Sequence, residues 1–443
     1  MDRSNAWRLA LILLLALAVR SMAAVAVDRH FAGRFALGDS DSYWVLAEAV
    51  AQGGPYRYGD ARVFRTPGYP LLLAPLFLLD NDPPVLAGRL HAAALGTIAV
   101  AGVFWLGRLV FDDRVGLWAA LLAALEPSSV AASVLVLSEA PFAPLMLAQL
   151  ALGIAAWKAR GQPHRDEYSG LARRALIFAA AAGVAAGLAT LVRPSWLLFV
   201  PFATVAGITL AAERRRQIVL AAVTLAALVL TMTPWWVRNA LVSGHFIPTS
   251  LQVGASLYDG LRPGADGASD MEFVSDFVEQ ALATRPEGET PIEFERRLDR
   301  LMRDAALEWA YENPSEASWL ALRKFLRMWN IWPNEPALSA LPIRLAVAIT
   351  FIPLIVAAIL GVWVVGGRQI PYLYLWLPSV YFSLLHMVFV SSIRYRQPAM
   401  LALLVLAAAV AVRWWDAGRP CRLSGVAAVR MPATRDRRRP DSK

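Results

Sequence analysis

Long apolar stretches recur along the chain, at 9–27, 87–110, 116–132, 141–157, 175–192, 195–212, 217–236, 345–365, 371–390 and 400–415. Each comes close to the ~20 residues with which a helix crosses ~30 Å of hydrocarbon. A backbone in lipid must satisfy its own hydrogen bonds, and these runs are too long for barrel strands, so helices are implied. The pattern predicts an all-α polytopic membrane protein with about ten transmembrane helices. One shorter apolar stretch, 71–79, cannot cross and reads as an interfacial helix on the membrane surface. Before it, Asp39-Ser40-Asp41-Ser42 opens and Gly53-Gly54 closes a short helix whose apolar run is 44–50. The long segment 237–344 is polar overall, yet Phe294, Leu298, Leu301 and Ala305, then Trp319, Leu322, Phe325 and Leu326, recur at helical spacing. Asn313-Pro314 divides that stretch into two amphipathic helices.

These elements suggest four parts. Residues 1–236 form a transmembrane module with a first outside loop at 28–84. Residues 237–344 form a helical extracytoplasmic region, and 345–415 hold the last three spans. The basic tail 416–443 is expected to be disordered and cytoplasmic. The first span has a basic flank (Arg3, Arg8), as a signal peptide would. It is long, however, and Arg20 and Asp28 follow with no clean small-residue cleavage site, so it is expected to be retained.

Composition agrees: 57% of residues are hydrophobic and 17% charged, against about 25% charged in soluble domains. The formal net charge of +9 would suggest nucleic acid in a soluble protein. Here the basic residues concentrate at 158–174, 213–216, 366–369 and in the tail, which alternate spans place on one side. That is the positive-inside pattern. It predicts cytoplasmic N- and C-termini in a bacterial inner membrane and no nucleic-acid partner. The single cysteine, Cys421, lies in the tail and rules out an intrachain disulfide. Neither CxxC nor HExxH spacing occurs.

Ionisable groups within spans cost ~2.5–3.5 kcal/mol each at mid-helix. Glu126, Glu139, Arg89, Arg193 and His386 all map toward the outer ends of their spans, which points to a polar cavity opening outward. Snorkelling would account for Arg89 and Arg193, and a helix start after Ser138 for Glu139. Glu126, Glu139, His91 and His386 are weak candidates for a divalent cation, without supporting spacing. In the first outside loop, Asp39 or Asp41 offers a carboxylate at the membrane surface, suited to act as a general base; alternatively Asp39 or Ser40 is only the helix cap. Three aromatic–basic strings also face outward: Pro234-Trp235-Trp236-Val237-Arg238-Asn239, Trp329-Asn330-Ile331-Trp332-Pro333, and Ser392-Ile393-Arg394-Tyr395-Arg396-Gln397-Pro398. An aromatic belt explains the Trp and Tyr residues. It does not explain outward arginines, which suit a lipid phosphate that guanidinium groups clamp in bidentate fashion.

The strings Gly38-Asp39-Ser40-Asp41-Ser42-Tyr43 and Arg65-Thr66-Pro67-Gly68-Tyr69-Pro70 resemble the first-loop signature of C-type glycosyltransferases. These are the bacterial relatives of protein O-mannosyltransferases (glycosyltransferase family 39) and of the lipid A aminoarabinose transferase. Leu137-Ser138-Glu139-Ala140, Arg193-Pro194, the Trp235–Asn239 string and Arg394-Tyr395-Arg396 extend the resemblance from residue 9 to about 412. It implies inverting transfer of a sugar from a polyprenyl-phosphate donor to an extracytoplasmic lipid, glycan or protein acceptor. By that resemblance Asp39 is the base, with Asp41 second. Arg65, Arg193, Arg394, Arg396 and Tyr395 would meet the donor phosphate and lipid. Tyr43, Tyr69, Arg89, Glu139, Trp235, Arg238 and Asn239 would line the substrate pocket. The sequence departs from the family in having Thr66 between Arg65 and Pro67, and Ser40 after Asp39. Two other functions fit the spans and arginines: a transporter or flippase of a lipid-linked envelope precursor, and a non-catalytic envelope assembly protein. A transporter would carry polar groups near the midplane in broken helices of repeated halves.

Overall fold

The computed structural model describes residues 1–159, 173–210, 214–333, 340–364 and 370–417. Cys421, the basic tail and the basic segment around 160–172 lie outside them. Within them the chain is helical, with no strand and one isolated bridge, between Tyr58 and Ala61. The helices are α1 (Arg3–His30), α2 (Asp39–Ala51), α3 (Gly68–Leu79), α4 (Val85–Val110), α5 (Asp113–Leu125), α6 (Pro127–Ala132), α7 (Glu139–Lys158) and α8 (Arg173–Val192). A 3-10 turn, Pro194–Trp196, precedes α9 (Phe199–Leu210) and α10 (Arg214–Ser243). Four helices, α11 (Val253–Gly260), α12 (Phe273–Ala283), α13 (Pro291–Glu312) and α14 (Pro314–Met328), form the polar segment. The chain closes with α15 (Leu341–Val364), α16 (Ile370–Val388) and α17 (Ile393–Ala417).

Seven of the described helices, α1, α4, α7, α8, α10, α15 and α17, are long and apolar enough to cross a membrane. α17 is the most enclosed of these and α1 the least. The other three apolar runs take different forms. The run at 195–212 becomes the 3-10 turn and a 12-residue helix. The run at 371–390 becomes α16, 19 residues long and diluted by Tyr, Trp, Ser and His. The run at 116–132 breaks at Glu126-Pro127 into α5 and α6.

The chemistry of that break is legible residue by residue. Proline has no N–H, so Ala123 O loses the partner that residue 127 would have supplied. Ser128 N–H turns away to Glu126 Oε1 (3.1 Å), and Ser129 N–H to Glu126 Oε2 (2.5 Å), so Glu126 caps the start of α6. The orphaned carbonyls are met by Arg20 from α1. Its Nη2 donates to Ala123 O (2.9 Å), its Nη1 to Ala124 O (3.0 Å) and its Nε to Ser133 Oγ (3.0 Å). Arg20 is 1% exposed. A buried guanidinium, costly alone, is stable here because it replaces missing backbone donors.

The connections α1–α4, α10–α15 and α16–α17, together with the starts of α7 and α17, collect at one end of the bundle. α2 and α3 are the two helices expected there, and α13 and α14 are the amphipathic pair, divided at Asn313-Pro314 as expected. Thr290 and Glu293 form a capping box at the start of α13. Glu295 of α13 accepts from the backbone N–H of Arg62 (2.7 Å) and Val63 (3.1 Å), which ties the polar segment to the first loop.

Candidate active site

Asp39 is the first residue of α2, where backbone N–H groups lack helical partners and a carboxylate is favoured. Its Oδ1 accepts from Arg65 Nη2 (2.7 Å) and its Oδ2 from Arg394 Nη2 (3.3 Å). Residues 355 positions apart therefore share one carboxylate. Arg65 precedes α3 and is steadied by Ser42 Oγ, which accepts from its Nε (3.1 Å). The Tyr43 ring lies 5.1 Å beneath its guanidinium. Tyr69 packs against Tyr43 with ring centroids 5.1 Å apart. The depth of α3 is set by Gly68: a Cβ there would meet the α8 backbone at Leu191 and Val192 at 2.6 Å.

Beneath Asp39 lies a second carboxylate. Glu139 Oε1, at the start of α7, is 3.1 Å from Arg394 Nε and 3.0 Å from Arg193 Nη1. Arg193 Nη1 also donates to Ser138 Oγ (3.2 Å). These ion pairs are close but poorly aligned: Arg394 Nε and Glu139 Oε1 make no directed hydrogen bond. Arg394 Nη2 donates to the Tyr395 hydroxyl (3.0 Å), and the His386 ring stacks on Tyr395 at 4.4 Å and 3°. Glu139 is 3% exposed at its side chain and Asp39 40%. One carboxylate is structural in depth, and the other faces outward. Burial pushes the Asp39 carboxyl up, but Arg65 and Arg394 outweigh it and hold it below the usual carboxylate range. Three guanidinium groups here face two carboxylates, so the cluster carries an excess positive charge that an anion would neutralise.

The expected site residues thus divide. Asp39, Arg65, Arg394, Tyr395, Arg193, Glu139, Tyr43 and Tyr69 form one connected cluster. Asp41 turns aside and accepts from the Tyr58 hydroxyl (2.8 Å). Arg396, expected at the phosphate, is instead fully buried: its Nη1 donates to Met328 O (2.8 Å) and Asn330 O (2.6 Å), and its guanidinium covers Phe351. Two residues along a helix rotate a side chain by about 200°, so Arg394 and Arg396 face opposite neighbours. Arg89 pairs with Asp28 and donates to Arg34 O (2.6 Å), fastening the end of α1 to α4. Trp235, Arg238 and Asn239 hold loops: Trp235 Nε1 donates to Thr249 O (2.7 Å), Asn239 Nδ2 to Ile247 O (3.1 Å), and Arg238 Nη2 to Tyr56 O (3.1 Å). The cation candidates do not converge. Glu126 is a helix cap, Glu139 is held by arginines, His386 Nδ1–H donates to Val390 O (2.7 Å), and His91 stands alone on α4. No group of three metal-ligating side chains occurs among the described residues. Ser42, Ser138 and Tyr58 support the site without having been expected. Only their adjacency to Asp41 or Glu139 in sequence, or a hydroxyl in a polar loop, hinted at them.

Residues 76–248 match the family described as dolichyl-phosphate-mannose-protein mannosyltransferase. No curated protein matches the chain. The archaeal oligosaccharyltransferase AglB from Archaeoglobus fulgidus, solved in complex with an inhibitory peptide and a dolichol-phosphate, is 17% identical, with TM-score 0.52 over 96% of this chain and 53% of that one. The same organism's oligosaccharyltransferase tethered with an acceptor peptide containing the NVT sequon is 13% identical, with TM-score 0.54 over 93% and 50%. A looser likeness, TM-score 0.45 at 15% identity over 91% and 78%, is to ArnT from Cupriavidus metallidurans bound to undecaprenyl phosphate. The chain spans about half the length of the oligosaccharyltransferase structures it matches. At such identities the shared property is the fold alone, the one seen in the two oligosaccharyltransferase structures.

Proposed function

We propose that the chain is a glycosyltransferase that takes a sugar from a polyprenyl-phosphate donor and passes it, with inversion, to a hydroxyl or similar nucleophile of an extracytoplasmic acceptor. The observation that carries this reading is the half-exposed Asp39 carboxylate set between Arg65 and Arg394 at one end of the bundle. The donor phosphate enters beside the two guanidinium groups, which share their donors between it and Asp39. The acceptor oxygen attacks the anomeric carbon from the side opposite the phosphate, and its proton passes to Asp39. The bond from that carbon to the phosphate oxygen breaks, and polyprenyl phosphate leaves with the electron pair. Charge developing on it is stabilised by Arg65 and Arg394. The transition state resembles an oxocarbenium ion, in which the attacking hydroxyl is already acidic. A carboxylate held in its ionised form therefore suffices as base.

Three further facts support the reading. The matched family is described by a lipid-phosphate-linked sugar donor. The AglB structure holds a dolichol-phosphate. The basic residues Lys158, Arg173, Arg174 and Arg214–Arg216 lie at the bundle end away from Asp39, and the positive-inside rule supports reading the Asp39 end as extracytoplasmic. Among the described residues, the α5–α6 break resembles the broken helix of a transporter, but Arg20 takes Ala123 O and Ala124 O and Glu126 takes the N–H groups of Ser128 and Ser129, so these are not offered to cargo. The test is Asp39→Asn in the purified chain with radiolabelled polyprenyl-phosphate sugars. Transfer is expected to fall by ~10²–10⁴-fold with donor binding retained. Near-wild-type transfer by that variant removes the base.

A further inference from the structure

Arg394 is the second residue of α17 and lies only two residues after the connection 389–392, so the geometry of that connection decides where its guanidinium points. The connection is bolted from three sides. From α14, Lys324 Nζ donates to Val388 O (2.6 Å) and lies 3.5 Å from Met387 O. Ser391 Oγ donates back to Lys324 O (2.7 Å), and Arg327 Nε donates to Ser391 O (3.1 Å). From the loop after α11, Gly267 O accepts from Ser391 N–H. Gly260 packs so closely that a Cβ would meet Val388 O at 2.7 Å. From α16 itself, His386 Nδ1–H donates to Val390 O (2.7 Å) while its ring stacks on Tyr395, next to Arg394.

Lys324 is the unusual member. Its side chain is completely enclosed, at 0% exposure, in an amphipathic helix whose other buried positions are Leu320 and Met328. Methionine or leucine would fill that site without desolvating a charge. What only a cation supplies is attraction for the last carbonyls of α16, which have no helical N–H partners and carry the negative end of the helix dipole. We infer that Lys324 is a positioning residue of the proposed transfer: its ammonium group anchors the end of α16 and thereby fixes Arg394 against Asp39, without touching donor or acceptor. The inference rests on the function proposed above.

The charged and titratable groups around Lys324 are Asp259 from α11, Arg327 one turn along α14, His386 of α16, and Asp266 and Asp270 of the intervening loop. Asp270 N–H and Ser269 Oγ both donate to Asp259 (2.9 and 2.7 Å), and Arg327 lies 3.6 Å from Asp266. Burial lowers Lys324 to about 8, against the opposing pull of Asp259. The folded state favours the neutral amine, so deprotonation above that pH does not itself destabilise the fold. It removes the charge that holds the carbonyls, and the bond that remains is a weaker neutral one.

The experiment compares the wild-type chain with Lys324→Met and Lys324→Arg, in detergent, from pH 6.5 to 9.5. It reads amide hydrogen exchange at 389–392, binding of polyprenyl monophosphate, and sugar transfer. In the wild type, exchange should rise beyond its intrinsic pH dependence, and lipid affinity and kcat should fall, as pH passes about 8. Lys324→Met should show about tenfold faster exchange and about tenfold weaker lipid binding throughout, with no step near that pH. Lys324→Arg should keep slow exchange and carry the step out of range. If Lys324→Met keeps wild-type exchange, or keeps the alkaline step in binding and transfer, the inference is overturned; if that variant fails to fold, the same step missing from the wild-type series overturns it. Should the exchange results hold while the wild type neither binds the lipid nor transfers sugar, the proposed function fails and the anchoring by Lys324 stands.

Discussion

Replacing Arg20 by Met tests the physical account of the broken helix. Arg20 supplies five hydrogen bonds at 2.9–3.4 Å, to Ala16 O, Ala123 O, Ala124 O, Ser129 Oγ and Ser133 Oγ. Ala16 O belongs to its own helix, and the serines can turn to other carbonyls, as Ser133 Oγ already does to Ser129 O (2.6 Å). Ala123 O and Ala124 O have no alternative donor. Leaving a buried polar group unmade costs about 1–3 kcal/mol, so the pair costs about 2–6 kcal/mol. Removing a buried guanidinium recovers part of that desolvation. A net loss of about 3 kcal/mol is expected in Arg20→Met, read as a shift in the SDS-driven unfolding equilibrium of the micelle-embedded protein. Pro127→Ala restores the N–H that Ala123 O lacks. The double variant should therefore lose about 1–2 kcal/mol less than the two single losses summed. A wild-type unfolding curve for Arg20→Met, or strict additivity with Pro127→Ala, would refute the assignment of Arg20 as a substitute backbone donor.

Further outcomes follow from the site. Asp39 is held ionised by its two arginines, so the acid limb of transfer lies below the ordinary carboxylate range; Arg65→Met should move that limb to higher pH, because the depressed carboxyl loses a partner. The same sign applies to stability: what Asp39 contributes is present above its unfolded pKa and disappears as pH falls through the lower folded value. Glu139→Gln should destabilise the chain by about 3 kcal/mol in the same unfolding assay, since it leaves buried Arg193 without its carboxylate and half-buried Arg394 with Asp39 alone. Arg396→Met should lower unfolding stability while leaving the KM for the lipid donor within about threefold, because its guanidinium serves Met328 O and Asn330 O rather than the cluster. Asn239→Ala should behave likewise, freeing the 244–250 loop without changing Asp39.

Much of this protein is determined by one-dimensional facts. A run of twenty apolar residues has one stable state in lipid, so the long spans, the short helices beginning at Asp39 and Gly68, and the α13–α14 division at Asn313-Pro314 were legible from residue type and spacing alone. Asp39 and Arg65 stood out by the resemblance of their strings to a family signature, because the 28–84 loop holds seven carboxylates and five arginines among which spacing does not choose. What sequence left open was decided by contacts between distant segments. Arg394 and Arg396 differ by two residues, yet only packing against α2 and against the end of α14 sends the first to Asp39 and the second to backbone carbonyls. Glu126 and Glu139 are alike as buried acids until the fold gives one a helix end to cap and the other two guanidinium groups to join. Hydropathy read 116–132 as a single span because it counts side chains, whereas Pro127 and Arg20 act through backbone hydrogen bonds, and the partner that makes the break stable lies a hundred residues away. Local chemistry sets which elements form; only the tertiary structure can say which buried charge meets which, since that depends on directions in space that spacing along the chain does not encode.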